Sequence, residues 1–142
     1  MTVRAILDSK GHQIQSVEPE AKLSAAIKML GERRIGAVLV MSQGRMEGIL
    51  SERDIVRVLA EQGASVLTQP LAQVMTRKVF TCSPSETIGV IMERMTAGKF
   101  RHVPVIEQDQ VVGVVSIGDV VKYRLLEMEH ESTALRDYIH SA

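Results

Sequence analysis

Gly48-Ile49-Leu50-Ser51-Glu52-Arg53-Asp54 and Gly113-Val114-Val115-Ser116-Ile117-Gly118-Asp119 are one pattern written twice, 65 residues apart. Outward from these stretches the register holds without a gap, residues 14–56 against residues 79–121, and Pro19 recurs as Pro84. A copied sequence folds into a copied unit, so the duplication decides the architecture before any local signal does. Upstream, Leu23, Ala26, Ile27 and Leu30 recur as Ile88, Ile91, Met92 and Met95. That i, i+3, i+4, i+7 spacing predicts an amphipathic helix in each copy, its apolar stripe on a core. Two β-branched runs follow each helix, residues 35–41 with 46–50 and residues 100–106 with 111–115. Their polar connections, Ser42-Gln43-Gly44-Arg45 and Glu107-Gln108-Asp109-Gln110, predict hairpins. A second helix starts at each Ser-x-x-Asp and runs through Ile55, Val58 and Leu59, or through Val120, Val121 and Leu125. One repeat reads strand, helix, strand, strand, helix.

The lead-ins match as well. Val3-Arg4-Ala5-Ile6-Leu7 aligns with Leu71-Ala72-Gln73-Val74-Met75 once three extra residues near Asp8 to Gly11 are allowed, so the duplicated unit includes a short pre-helix. A unit of about 60 residues is near the lower limit for burying a core alone. The two are therefore expected to pack on each other as one cooperative domain, with residues 63–70 as a surface connection. The whole chain has 142 residues, 45% hydrophobic, with 17 basic against 17 acidic side chains. Zero net charge, no Trp and 3% aromatics argue against a nucleic-acid partner, which needs basic surface and stacking platforms. No apolar run approaches the roughly 20 residues of a membrane span, and the N-terminus lacks a signal h-region. A single Cys82 leaves no internal disulfide and fits a reducing compartment, so a cytoplasmic location is expected.

The two quoted stretches resemble the Gly-h-h-(Ser/Thr)-x-x-Asp signature of CBS (cystathionine β-synthase) domains. Arg101-His102-Val103-Pro104-Val105 and Val74-Met75-Thr76 are similar to the family too. The resemblance covers the chain from about Val3 to about Leu126 as a tandem pair, a Bateman module, with repeats at residues 8–66 and 74–131. It implies an α+β fold of two pseudo-symmetric β-α-β-β-α repeats packed sheet to sheet. An extended C-terminal helix follows. It also implies binding of adenosine-containing ligands (AMP, ADP, ATP, NAD or S-adenosylmethionine) in clefts between the repeats.

Chemistry at the signatures suits that implication. A carboxylate accepts both hydroxyls of a ribose diol in charge-assisted hydrogen bonds, which makes Asp54 and Asp119 the ribose candidates. Ser51 and Ser116 place a hydroxyl and free backbone N–H groups at a helix N-terminus, where the dipole favours a phosphate. Arg53, Arg101 and His102 are the candidate phosphate contacts, with Arg4 and Lys10 as weaker ones. Adenine needs a flat apolar slot edged by backbone donors and acceptors, which Ile35, Gly36, Ala37 and Val38, or Val103 and Pro104, can line. In the family, the start of the opposite repeat's first strand completes each slot. Here that means Ile14 and Gln15 for one and Val79, Thr81 and Cys82 for the other. The competing reading of Ser-x-x-Asp is a capping box, a pattern common at helix starts that bind nothing, and both roles can reside on the same atoms.

Other features carry less. His12, His102, His130 and His140 lack the paired spacing of a zinc site, so no metal is expected. Cys82 is expected to be an inert, partly buried thiol. Pro19 and Pro84 fit the opening turn of the first helix in each copy, with Ser83 and Glu86 as caps around Pro84. The segment after Asp119 exceeds what one repeat needs and reads as one helix to about Ile139. It either folds back on its own module or, following the family's dimers, contacts a second copy. The function expected is a non-catalytic energy or redox sensor acting on a separate protein effector. A nucleotide-using enzyme is disfavoured by the lack of a Walker-type loop, a carboxylate cluster or a nucleophile and base pair. A structural module with vestigial clefts is the remaining alternative.

Overall fold

The structure, a computed structural model, describes residues 1–141. In chain order its elements are α1 (Val3–Lys10), β1 (Ser16–Val17), α2 (Leu23–Arg33), β2 (Ala37–Ser42), β3 (Arg45–Ser51), α3 (Glu52–Gln62), α4 (Ile88–Gly98), β4 (His102–Glu107), β5 (Gln110–Ser116) and α5 (Ile117–Ser141). Short 3-10 turns lie at Gly63–Thr68 and Leu71–Gln73. The chain divides into two compact units, one of Gln13–Phe80 and one of Met1–His12 with Thr81–Ala142.

In the Gln13–Phe80 unit a three-stranded sheet runs β1-β2-β3, with β1 parallel and β3 antiparallel to β2. Leu23, Ala26 and Leu30 of α2 are buried, and with Val38, Val40, Leu50 and Val58 they build this unit's core. Val66 is fully buried in the same core, so residues 63–70 are more than the surface connection expected from sequence. One apolar side chain in a short 3-10 turn gives no periodic signal.

The other unit repeats the plan with two changes. Ile88, Ile91 and Met95 of α4 are buried, and β4 pairs antiparallel with β5. Where the first copy has β1, the second has a single parallel bridge, Cys82 to Val105, so its opening strand shrinks to one residue. Both hairpins turn on two central residues with positive φ, Gln43 (52°) with Gly44 (78°) and Gln108 (51°) with Asp109 (61°). That is the turn geometry matching the twist of paired strands. α2 and α4 each stop on a left-handed residue, Arg34 (53°) and Lys99 (58°). Pro19 and Pro84 lie ahead of these helices, not in their opening turns; α4 starts after Thr87, whose Oγ1 accepts from the Val90 N–H at 3.3 Å.

The lead-ins are exchanged. α1 precedes the first repeat in sequence yet belongs to the unit of the second, where Val3, Ile6 and Leu7 are buried. Its Val3 and Arg4 N–H groups donate to the carbonyls of Glu86 and Pro84, both at 2.9 Å. The lead-in of the second repeat, Leu71 to Thr76, packs in the first, where Leu71, Val74 and Met75 join the core.

The signature glycines mark where each lead-in crosses its sheet. A Cβ on Gly48 would stand 2.6 Å from the Thr76 carbonyl oxygen and 2.8 Å from Met75 Sδ. A Cβ on Gly113 would stand 2.5 Å from Leu7 Cδ2. Thr76 is tied to the strand by reciprocal bonds, each N–H donating to the other's carbonyl between Ile49 and Thr76 at 2.9 Å.

Candidate functional site

Each hairpin delivers its signature serine to the end of its second strand, and the next residue opens a helix. Ser51 caps α3 in extended backbone, its Oγ accepting from the Asp54 N–H at 3.3 Å while Asp54 Oδ2 accepts from the Ser51 N–H at 2.9 Å. Ser116 repeats the arrangement, Oγ accepting from the Asp119 N–H at 3.2 Å and Asp119 Oδ2 from the Ser116 N–H at 2.9 Å. The capping boxes are therefore complete in both copies. They hold each carboxylate at a helix N-terminus, where negative charge is favoured.

Strand register brings the other candidates to the same ends. Ala37 pairs with Ser51 and His102 with Ser116. The Glu52 N–H donates to the Gly36 carbonyl at 3.0 Å and the Ile117 N–H to the Arg101 carbonyl at 2.8 Å. Gly36, Ala37 and Val38 thus run along the N-terminus of α3 beside Ser51, Arg53 and Asp54. Arg101, His102, Val103 and Pro104 run along that of α5 beside Ser116 and Asp119. Arg53 and Arg101 are exposed, and Val38, Val103 and Pro104 are buried. Half-buried Ile35 sits just ahead of β2, its N–H on the Leu30 carbonyl at 3.1 Å.

Of the slot-completing candidates, Gln15 and Cys82 are bonded to the first hairpin strand of their own units, β2 and β4. The Gln15 carbonyl accepts from the Leu39 N–H at 3.0 Å, its side-chain oxygen accepts from the Arg33 guanidinium, and Ile14 beside it is half-buried. Cys82 donates its N–H to the Pro104 carbonyl at 3.1 Å and accepts from the Ile106 N–H at 2.8 Å, with half-buried Thr81 preceding it. Val79 falls in the unit ending at Phe80, whereas Thr81 and Cys82 fall in the other. Burial pushes the Cys82 thiol up to about 12, Glu86 adding to the effect and Arg94 opposing it. Such a thiol stays protonated at neutral pH and is no nucleophile.

The two carboxylates are not equivalent. Asp54 Oδ2 also accepts from Ser51 Oγ at 3.0 Å, and Oδ1 accepts from Thr76 Oγ1 at 3.0 Å and Arg57 Nη2 at 3.1 Å. Asp119 Oδ2 accepts from Lys10 Nζ at 2.7 Å, and the same ammonium donates to the Val114 carbonyl at 2.9 Å. Oδ1 of Asp119 takes no hydrogen bond among the described residues. Burial on its own pushes the Asp119 carboxyl up, but the Lys10 ammonium and the Ser116 N–H and hydroxyl together outweigh it. The group stays below the ordinary carboxylate value.

Each exchanged lead-in supplies a donor to the signature carboxylate of the unit it joins, Thr76 to Asp54 and Lys10 to Asp119. Sequence reasoning named Thr76 only within the family motif and ranked Lys10 as a weak phosphate contact; Arg57 was absent from it. For Thr76 a signal existed, because it directly follows Leu71 to Met75, the segment that aligns with the start of α1. For Lys10 there was none, since it lies within the three residues that break the alignment. Among the described residues, no three His, Cys, Asp or Glu side chains are grouped to hold a metal, and no helix is long and apolar enough to cross a membrane.

Two halves of helix, hairpin and helix, the first led by a strand and the second by a single bridge, each hairpin feeding a Ser-x-x-Asp helix start, are the build of a tandem CBS pair, and the sequence profile of the CBS domain matches residues 3–61 and 71–126. The chain belongs to the CBS-domain family. It is 34% identical over 119 residues to the mitochondrial CBS domain-containing protein CBSX3 of Arabidopsis thaliana, matching over 80% of its own length and 58% of that protein's. It thus spans less than two thirds of that relative. With the CBS domain-containing protein YhcV of Bacillus subtilis it shares 27% identity over 138 residues, 96% of each chain. The crystal structure of a CBS-domain containing protein from Agrobacterium tumefaciens superposes with a TM-score of 0.85 at 42% identity, over 87% of this chain and 99% of that one. Two pairs of lower identity share the fold. One from Pyrobaculum aerophilum was solved with AMP (24%, TM-score 0.73, 84% of this chain and 89% of that one). The other was solved with 5′-methylthioadenosine and S-adenosyl-L-methionine (23%, TM-score 0.76, 87% and 98%).

Proposed function

We propose that this chain is a non-catalytic regulatory module that binds an adenine nucleotide, AMP in the simplest case and NAD as its competitor, and reports energy or redox state to a separate protein. One observation carries the reading. In both units the same strand register sets the start of a strand against a helix N-terminus with an anchored carboxylate three residues in. That arrangement offers a ribose acceptor, a phosphate-seeking dipole and an adenine-lining strand within one turn of chain. Relatives of the same fold solved with AMP, or with 5′-methylthioadenosine and S-adenosyl-L-methionine, support an adenosine ligand. Arg53, Arg101 and His102 favour a phosphorylated one. Regulation requires that the ligand distinguish two conformations by a free-energy difference. The long C-terminal helix and the dimers of the family favour a homodimer as the form in which the module acts. A cytoplasmic setting goes with this role and with the buried thiol.

Thermal unfolding against AMP, ADP, ATP, NAD, NADH and S-adenosylmethionine tests the proposal. A ligand at 100 times its Kd that binds only the folded chain adds about 2.7 kcal/mol. For a chain of this size that raises Tm by roughly 8 °C. The shift is expected with phosphorylated adenosines and is expected to vanish in the Asp54→Ala, Asp119→Ala double variant. No shift with any of the six refutes nucleotide sensing. It would favour the second reading, an interaction module whose Ser-x-x-Asp segments only cap helices. One observation speaks for that reading: Asp54 already has both carboxylate oxygens engaged by Ser51, Thr76 and Arg57.

A further inference from the structure

Among the described residues, none covers the second half of α5. Val120 and Tyr123 are buried, but every residue from Met128 to Ser141 is exposed. An isolated helix of that length is marginal in water, because helices in proteins take most of their stability from a packed face. The exposed large apolar residues on α5 are Val121, Leu125, Met128, Leu135, Tyr138 and Ile139. Apart from Tyr138 they fall, with Ser132, at steps of four, three, four, three and four. That is an unbroken a/d alternation with a at Leu125, Ser132 and Ile139 and d at Val121, Met128 and Leu135. A period of 3.5 is the seam of a coiled coil, narrower than the stripe of a helix lying on a globular core.

Flanking charges say what meets the seam. The e positions are Lys122, Glu129 and Arg136, and the g positions are Arg124, Glu131 and Tyr138. In a parallel in-register pair each g faces the e five residues on in the partner helix. Arg124 then faces Glu129 and Glu131 faces Arg136, opposite charges in both cases and twice over by symmetry. An antiparallel pair of full overlap sets e against e and g against g. Glu129 would then meet Glu129, Lys122 would meet Arg136 and Glu131 would meet Glu131, all repulsive. Arg124 is bonded within its own chain to Glu127 at 2.8 Å, so Glu131 with Arg136 is the cleaner pair. Ile139 at a and Leu135 at d follow the preference of two-stranded coils, whereas Leu125 at a and Val121 at d do not, so the flanking charges decide the orientation.

We infer that α5 is a docking surface for a second copy of this chain, joined through a parallel, in-register two-stranded coil along Val121 to Ile139. The inference rests on the homodimer reading above and adds its seam and orientation. Cysteine crosslinking of the full chain under mild oxidant, beside sedimentation equilibrium, separates the two. Ser132→Cys at a is expected to yield a disulfide-linked dimer, and Thr133→Cys, one residue off the seam, is not; buried Cys82 stays out of the reaction. A dimer by mass with no Ser132→Cys crosslink overturns the coil and leaves the homodimer standing. A monomer by mass overturns both. Arg136→Glu, which turns two attractions into repulsions, is expected to raise the dimer dissociation constant roughly tenfold. Glu131→Arg added to it is expected to restore the wild-type constant within a factor of about three. Failure of that restoration overturns the parallel orientation. All four positions are exposed, and circular dichroism checks that each variant remains folded.

Discussion

Replacing Gly48 by alanine places a methyl carbon 2.6 Å from the carbonyl oxygen of Thr76, which accepts from the Ile49 N–H at 2.9 Å while the Thr76 N–H donates to the Ile49 carbonyl at 2.9 Å. The lead-in must lift to make room, and with it go both bonds, at about 1 kcal/mol each. Overpacking against Met75 Sδ, 2.8 Å away, adds about 1–3 kcal/mol. The stiffer unfolded chain returns roughly 0.5–1 kcal/mol. The net loss is about 3 kcal/mol, a fall in Tm of roughly 10 °C. Gly113→Ala meets only Leu7 Cδ2, 2.5 Å away, the far end of a side chain with two rotatable bonds. Turning it off its rotamer costs about 1 kcal/mol, and the same unfolded-state gain offsets much of that. Urea unfolding followed by circular dichroism is expected to separate the variants by about 2.5–3 kcal/mol, with Gly48→Ala the weaker fold. Met75→Ala added to Gly48→Ala is expected to recover little, because the backbone contact remains. If Gly113→Ala destabilises as much as Gly48→Ala, the reasoning from rigid backbone against flexible side chain fails.

Three further outcomes follow from the site. Lys10→Met is expected to cost about 1 kcal/mol at pH 7, the worth of a partly exposed charged hydrogen bond. Because Asp119 is held below its ordinary value, that contribution is present above the unfolded carboxylate pKa near 4 and lost as pH falls through the lower folded value. A wild-type advantage that persists unchanged at the acid end of the folded range would contradict the pairing. Asp119→Ala is expected to weaken nucleotide binding more than Asp54→Ala, since Arg101 and His102 stand beside Asp119 and its Oδ1 is open. Calorimetric titrations showing the reverse order refute the ranking. Cys82 is expected to resist iodoacetamide at pH 8 in the folded chain and to react once urea unfolds it; prompt labelling of the native protein would contradict a thiol pushed up to about 12.

Much of the local structure was legible because it is periodic or duplicated. Leu23, Ala26 and Leu30, and Ile88, Ile91 and Met95, are buried as their spacing predicts, and the Ser-x-x-Asp segments open helices in both copies. The capping boxes were legible too, since three residues of spacing determine them. What could not be read was anything set by tertiary pairing. Alignment assigns α1 to the first repeat, but its partner Gly113 lies over a hundred residues away, and nothing local to Val3 or Leu7 names it. Lys10 on Asp119 and Arg57 with Thr76 on Asp54 follow from that exchange. Val121 and Leu125 look like core residues by their position in the second helix, yet they are 41% and 60% exposed. Their stripe has the spacing of a coil seam, which a reading confined to single helical turns merges with a core face.

The exchange of lead-ins has a consequence for the order in which the molecule is made. During synthesis α1 emerges ahead of both repeats, with Val3, Ile6 and Leu7 apolar and unsheltered, and the β5 strand that carries Gly113 emerges a hundred residues later. At about 5–20 residues per second the first helix waits several seconds for its place. The Gln13–Phe80 unit is different, because every residue of it is contiguous and can close as soon as it leaves the ribosome. Moving residues 1–12 to the far end through a flexible linker, with the new chain start at Gln13, would make both halves contiguous. Such a permutant would keep the native contacts while shortening the longest wait in their assembly.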